Sequence, residues 1–157
     1  MLMPLALLLV STAATATRPA PPHERVEKVT GQCGVVTVRS PQAPHIRTER
    51  FSAGQILDVE FGTALRKRVP GAHVLNLRVY TPKGHLYQQL SVAFDGGEAV
   101  GAAAAGASPK QPRLVARLPV GGTSITNASL FGRWKVVPHL DQSPRPCGAA
   151  SVFTIAP

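Results

Sequence analysis

Short runs of alternating apolar and polar residues recur along this chain, and Gly, Pro or Asn residues lie at their ends. A two-residue period places every second side chain on the same face of an extended strand. About seven such runs occur, at 35–38, 55–61, 74–80, 86–94, 114–120, 130–137 and 153–155. No amphipathic helix of comparable strength separates them. The pattern therefore predicts an all-β, antiparallel two-sheet β-sandwich, with a small closed barrel as the alternative.

The same alternation predicts which side chains face the core. The residues expected on one inward face are Leu57, Val59 and Phe61 in the second run, Leu75, Leu77 and Val79 in the third, Leu86, Leu90, Val92 and Phe94 in the fourth, and Leu130, Trp134 and Val136 in the sixth. A turn signal, Pro82-Lys83-Gly84, joins the third and fourth runs and predicts a hairpin. The segment 95–112 is rich in Ala and Gly and is predicted to be a long flexible loop.

The first 16 residues have the pattern of a signal peptide. An apolar run from Leu5 to Val10 passes into small residues and ends in Ala14-Thr15-Ala16, an A-x-A site that a signal peptidase accepts. The predicted division is a signal peptide at 1–16, a flexible Pro-rich leader at 17–28 and a single domain at 29–157. A buried N-terminal strand or helix is the alternative. We expect an exported protein, periplasmic or extracellular, with no transmembrane segment in the mature chain.

Two cysteines, Cys33 and Cys147, lie near opposite ends of the predicted domain. Disulfides persist in the oxidising compartments that exported proteins occupy, so these two residues are expected to form a bridge. Two buried free thiols are the alternative. Two cysteines alone do not make a metal site.

Four short segments resemble known modules. They are Phe51-Ser52-Ala53-Gly54-Gln55, Val79-Tyr80-Thr81-Pro82-Lys83-Gly84, Gly132-Arg133-Trp134-Lys135-Val136 and Ser151-Val152-Phe153-Thr154-Ile155. Together they resemble the immunoglobulin-like and fibronectin-III-like β-sandwich modules of exported bacterial proteins, including a domain type of bacterial macroglobulins. The resemblance implies an exported spacer, adhesion or binding module. The chain departs from antibody-type domains because its cysteines lie outside the central strand pairs and Trp134 is on the penultimate strand.

The acidic and histidine residues form no catalytic motif. Asp58 and Glu60 share one strand face and are predicted to lie on a solvated edge. The histidines are single and scattered, so no catalytic residue, metal or cofactor is predicted. The alternative is a small secreted hydrolase, whose site would bring together two of His73, His85, His139, Asp58 and Asp141.

Positive charge is the remaining functional signal, since 17 Lys and Arg against 8 Asp and Glu give a formal net charge of +9. Arg78, Arg133 and Lys135 fall on the outward parity of their strands, and the immunoglobulin resemblance implies that these strands are neighbours. Tyr80 and Phe131 would then lie between the cations on one sheet face. A second candidate is the basic run Arg66, Lys67 and Arg68, for which an ordinary solvated loop tip is the alternative.

These observations favour a non-catalytic binding or structural module that acts through its surface. The expected partner is a protein, an anionic polysaccharide or an envelope surface, because a basic face attracts anionic polymers. Nucleic acid is not expected, since aromatic residues make up only 5% of the chain and base stacking needs an aromatic platform. A subunit of an envelope assembly that is completed by strand addition is a further alternative.

Overall fold

A computed structural model describes residues 29–42, 49–66, 69–96 and 113–157. The predicted signal peptide 1–16 and leader 17–28 lie outside the described residues, as do Lys67, Arg68 and positions 97–112 of the predicted loop. Asp95, the first residue of that predicted loop, instead ends a strand.

Eight strands and one short helix make up the described part of the chain. They are β1 (Thr37–Arg39), β2 (Arg50–Ser52), β3 (Asp58–Ala64), β4 (Ala72–Tyr80), β5 (Leu86–Asp95), β6 (Arg113–Pro119), α1 (Ser124–Asn127), β7 (Gly132–Leu140) and β8 (Ser151–Ala156). One sheet has the order β1-β3-β6 and the other the order β2-β8-β7-β4-β5. All of the pairings are antiparallel except that of β2 with β8. The predicted all-β sandwich is confirmed. The order β1-β3-β6 matches A-B-E of immunoglobulin domains, and β8-β7-β4-β5 matches G-F-C-C′, while β2 adds a fifth strand beside β8.

Trp134 of β7 lies at the centre of the core between the two sheets. Its indole ring is fully buried and stacks with Phe153 of β8 at a centroid distance of 6.2 Å. Tyr87 of β5 meets it edge-on at 5.2 Å, and the indole Nε1–H donates to the Leu130 carbonyl oxygen at 3.0 Å. The one polar atom of the ring is therefore satisfied inside an apolar core.

A β-bulge corrects the predicted face of Leu86. The pairing of β4 with β5 shifts register between Val79 and Tyr80, so Tyr80 lies opposite Leu86 while Val79 lies opposite Gln88. The extra residue, Tyr87, turns towards Trp134. Because a bulge inverts the parity of the residues beyond it, Leu86 shares the outward face with Tyr80 and is 55% exposed.

The predicted inward position of Leu57 is also wrong. Strand β3 begins only at Asp58, and Leu57 is 65% exposed. Its carbonyl oxygen accepts from the backbone N–H groups of Val120 and Gly121, which fixes the chain in a bend before the strand. Ile56 is buried in its place.

The predicted disulfide is confirmed between Cys33 and Cys147, whose Cα atoms are 5.1 Å apart. Both cysteines are almost fully buried, and the Cys33 backbone N–H donates to the Cys147 carbonyl oxygen at 2.8 Å. The bridge joins the segment before β1 to the connection between β7 and β8. In antibody domains the bridge instead crosses the core between central strands.

Replacing both cysteines with Ser is expected to lower the free energy of unfolding by about 2–5 kcal/mol, because the unfolded chain regains the freedom of a loop closed across 114 positions. Urea unfolding of the wild type and of the C33S/C147S variant, each with and without reductant, measures the change. The reductant should destabilise only the wild type. Equal stability of the two proteins without reductant would contradict a stabilising bridge.

Candidate functional site

The predicted cations of the larger sheet lie on neighbouring strands, because β4 pairs directly with β7. Tyr80 lies opposite Lys135, and the Lys135 Nζ atom is 6.0 Å from the centroid of the Tyr80 ring. Arg133 and Lys135 are exposed, whereas Trp134 between them is buried. The alternation of β7 therefore turns both cations to the outer face of the sheet.

Arg50 of β2 extends this arrangement and was not among the predicted site residues. It lies opposite Thr154 of β8, which in turn lies opposite Arg133 of β7. Phe51 is buried, so Arg50 faces outwards with the other cations. The five residues Arg50, Arg78, Tyr80, Arg133 and Lys135 are called the basic face below.

Phe131 does not lie on the basic face, contrary to its predicted position. It precedes the first residue of β7 and packs against the hydrophobic core. Gly132, at the start of β7, has a φ of +132°, a conformation that interrupts regular strand alternation. The parity of β7 therefore does not extend back to Phe131.

Arg66 is exposed just beyond β3 and is separate from the basic face. Its backbone N–H donates to the Gln32 carbonyl oxygen at 2.7 Å, which holds this position near the disulfide-linked segment. The rest of the predicted basic run, Lys67 and Arg68, lies outside the described residues.

A polar cluster lies beside the basic face on the outer side of β4 and β5. The Asn76 side-chain oxygen accepts from Ser91 Oγ at 2.7 Å and from Gln89 Nε2 at 3.2 Å. The Asn76 side-chain nitrogen donates to the Asp141 carbonyl oxygen. Charge along this side of the sheet changes from basic at Arg133 and Lys135, through neutral amides, to the carboxylate of Asp141.

His73 and Asp141 form an ion pair at the acidic end. His73 Nδ1 is 3.0 Å from Asp141 Oδ2, and Asp141 Oδ1 accepts from the Val74 backbone N–H at 3.0 Å. The hydrogen bond to Asp141 and a second one to the Pro70 carbonyl raise the pKa of His73. The hydrogen bonds from Val74 and His73 lower the pKa of Asp141.

This pair brings together two of the residues named for the hydrolase alternative, but its hydrogen bonds differ from those of a catalytic base. His73 Nε2 is 3.1 Å from the Pro70 carbonyl oxygen, so both ring nitrogens face acceptors. A neutral imidazole donates from one nitrogen only, and the arrangement therefore favours the imidazolium. A general base needs a lone pair directed at a nucleophile or substrate, and here the second nitrogen contacts a backbone oxygen.

In the described ranges no three His, Cys, Asp or Glu side chains are grouped so that they could hold a metal ion. His139 is buried on β7, and its Nδ1 is 3.1 Å from the Ser143 carbonyl oxygen. The described part of the chain also has no helix with the length and apolarity needed to cross a membrane.

Glu60 is buried, which corrects its predicted place on a solvated edge. It lies on β3, the middle strand of the smaller sheet, directly opposite Arg39 of β1 and Arg117 of β6. Arg39 Nε donates to Oε1 at 2.6 Å, and Arg117 Nε donates to Oε2 at 3.4 Å. The two flanking arginines cover the carboxylate and balance its charge.

No protein-family model matches the sequence, and no match was found among the curated proteins. One similar solved structure is an immunoglobulin-like protein from Pseudomonas aeruginosa, with 18% identity over 82% of this chain and 94% of that protein, at a TM-score of 0.38. Another is a "putative beta-galactosidase" from Bacteroides fragilis, with 14% identity over 81% of this chain and a TM-score of 0.35. This chain spans only 16% of the length of that protein.

Removal of the Glu60 partners should destabilise the fold more than removal of Glu60 itself. The R39M/R117M variant leaves a buried carboxylate unpaired, at an expected cost of about 3 kcal/mol in the free energy of unfolding. The E60Q variant leaves two exposed arginines, at a cost of about 1 kcal/mol. The triple variant E60Q/R39M/R117M should recover most of the loss. Urea unfolding tests this order, and a greater loss in E60Q than in R39M/R117M would contradict it.

The His73–Asp141 pair should stabilise the fold in a defined pH range. Because the pKa of His73 is raised, its contribution is complete below the unfolded value of 6.5 and disappears as the pH rises through the folded value. Because the pKa of Asp141 is lowered, its contribution is present above 3.8 and is lost as the pH falls through the folded value. The pair is therefore most stabilising between these two unfolded values.

The H73Q substitution should thus destabilise the protein more at about pH 5.5 than at about pH 9. Thermal unfolding at both pH values measures the difference. H85Q, in the exposed turn between β4 and β5, is the matched control and should show no such difference. Equal destabilisation by H73Q at both pH values would exclude a charged pair.

Proposed function

We propose that this protein is an exported, non-catalytic binding module that recognises polymers with repeated anionic groups through its basic face. The shared chemistry is a row of carboxylates, sulfates or phosphates, such as an anionic polysaccharide or the headgroups of an envelope surface would present. The observation that carries the proposal is the outward position of Arg133 and Lys135 on β7 beside Arg78 and Tyr80 on β4.

The extent of the basic face supports a polymer rather than a single small ion. Its cations lie on β2, β7 and β4, and adjacent strands in a sheet are about 4.8 Å apart. The face therefore extends about 15 Å across the sheet. Repeated negative charges spaced along a chain can contact several of these cations at once.

The distribution of charge supports a preferred orientation of the ligand. The carboxylate of Asp141 lies beyond the neutral Asn76 cluster, at the far end of β7 from Arg133 and Lys135. An anionic polymer is attracted most strongly to the basic end, because at the other end the His73–Asp141 ion pair balances its own charge. This attraction acts over about 10 Å at 0.1 M salt and weakens as the salt concentration rises.

The non-catalytic part of the proposal is supported by the hydrogen bonds of His73, whose two ring nitrogens both face acceptors. Export is supported by the Cys33–Cys147 bridge, because disulfides persist mainly in oxidising compartments. A spacer, adhesion or binding role like that of fibronectin-III-like and macroglobulin-type modules belongs to the same proposal. Tyr80 is the one aromatic residue of the basic face, which supports a ligand recognised by charge rather than by stacked bases.

The proposal is tested by comparing two variants that lose the same net charge. R133S/K135S removes two cations of the basic face, whereas R66S/R145S removes two exposed cations elsewhere. At about 1 kcal/mol for each cation near an anionic surface, R133S/K135S should bind roughly thirtyfold more weakly. R66S/R145S should bind like the wild type.

Binding is measured to a sulfated polysaccharide, to polygalacturonate and to phosphatidylglycerol vesicles, each at low and high salt. Tight binding to the polysaccharides alone or to the vesicles alone identifies the source of the anionic groups. Equal loss of binding in both variants would show that binding depends on net charge rather than on the basic face, and would contradict the proposal. Loss only in R66S/R145S would assign binding to the Arg66 region and contradict the proposal.

A further inference from the structure

Strand β5 is an edge of the larger sheet in the described part of the chain, and it differs from the other three edge strands. It has ten residues, and no charged residue occurs before its last position, Asp95. The edge strands β1 and β2 have three residues each and contain Arg39 and Arg50. Strand β6 contains two arginines and ends at a proline. Short length, charge and proline are the features that prevent edge strands from pairing, and β5 has none of them along most of its length.

The register of β5 shows which backbone groups face away from the sheet. The Gly96 N–H donates to the Gly71 carbonyl oxygen at 3.0 Å, and the β4–β5 pairing continues in step from there to the bulge. In an antiparallel pair the residues bonded to the neighbour alternate with residues whose N–H and C=O groups point the other way. Leu90, Val92 and Phe94 therefore bond to β4. The backbone groups of Gln89, Ser91, Ala93 and Asp95 point outwards from the edge.

We propose that this edge pairs with β5 of a second copy of the chain, antiparallel and about a two-fold axis at Val92. This register places Ser91 opposite the partner's Ala93 and Gln89 opposite the partner's Asp95. The outward-pointing backbone groups of Ser91 and Ala93 then bond to their counterparts on the partner strand. The two five-stranded sheets become one continuous ten-stranded sheet. The bulge at Tyr87 ends the pairing, since a bulge twists the strand away from a straight edge.

Charge favours a second copy in this register. Arg78 lies opposite Gln89 within one protomer, so the partner's Asp95 comes into the same row as Arg78, two strands away. That separation is about 10 Å between backbones, and the long Arg78 side chain can extend across it towards the short Asp95 side chain on the same side of the sheet. The cations Arg50, Arg133 and Lys135 lie on strands away from β5, so this register does not bring them against their counterparts in the second copy.

Sedimentation velocity from micromolar to millimolar concentrations tests the dimer, with the wild type expected to dimerise. The A93P variant removes an N–H that points outwards and leaves the bonds to β4 intact, so the protomer should fold but stay monomeric. The A93K variant should also be monomeric. Its control, A149K, adds the same charge in an exposed loop and should dimerise like the wild type. Far-UV circular dichroism and the unfolding midpoint establish that each variant is folded.

A charge exchange tests the register. D95K should weaken the dimer at least roughly tenfold, and the double variant R78E/D95K should restore it, because the opposed charges return with their signs exchanged. A wild type that remains monomeric throughout the concentration range would overturn the proposal. The alternative would then be that β5 pairs with a strand of a different protein. Dimerisation of a folded A93P variant, or no restoration in R78E/D95K, would overturn the proposal equally.

Discussion

The pairing of β4 with β7 is the interaction on which the rest of the structure depends. It brings the buried side chains of Val79 and Val136 together beneath the sheet and holds Trp134 against Phe153 and Tyr87. The same pairing turns the intervening side chains outwards. Burial of the core and presentation of the basic face are therefore two results of one register, and a shift by one residue would expose the tryptophan and bury the cations.

Much of this arrangement follows from the sequence, because the two-residue alternation of β4 and β7 is regular and long. The outward parity of Lys135 follows from the same alternation. The β4–β5 hairpin follows from its Pro-Lys-Gly turn, and the disulfide from two cysteines in a chain that is expected to be exported. Strand β2 could not be predicted from the sequence, because its three residues are too few to show an alternation and its parallel partner, β8, is far away along the chain. Parity also fails where the backbone departs from regular strand geometry. The extra residue Tyr87 inverts the face of Leu86, and Gly132, with a φ of +132°, separates Phe131 from the strand that follows.

Glu60 illustrates a different limit of sequence reading. Its alternation with Val59 and Phe61 correctly places it on the outer face of β3. Its burial depends on the residues that lie opposite it, which are Arg39 and Arg117 on two strands distant in sequence. The arginines on the outer faces of the two sheets therefore have different surroundings. On the smaller sheet two arginines enclose a carboxylate, whereas on the larger sheet the Asp141 carboxylate lies at the opposite end of β7 from Arg133 and Lys135.

The disulfide also determines how the molecule responds to tension. Fully extended, the segment between Cys33 and Cys147 would span roughly 390 Å, but the bridge holds its ends 5.1 Å apart. A force applied beyond the two cysteines is carried by the sulfur–sulfur bond, and seven of the eight described strands are bypassed. Of the described strands, β8 alone lies outside the closed loop, so among them it is the strand that pulling would detach. While the covalent loop stays closed, none of the strands β1 to β7 contributes to the lengthening of the chain under tension.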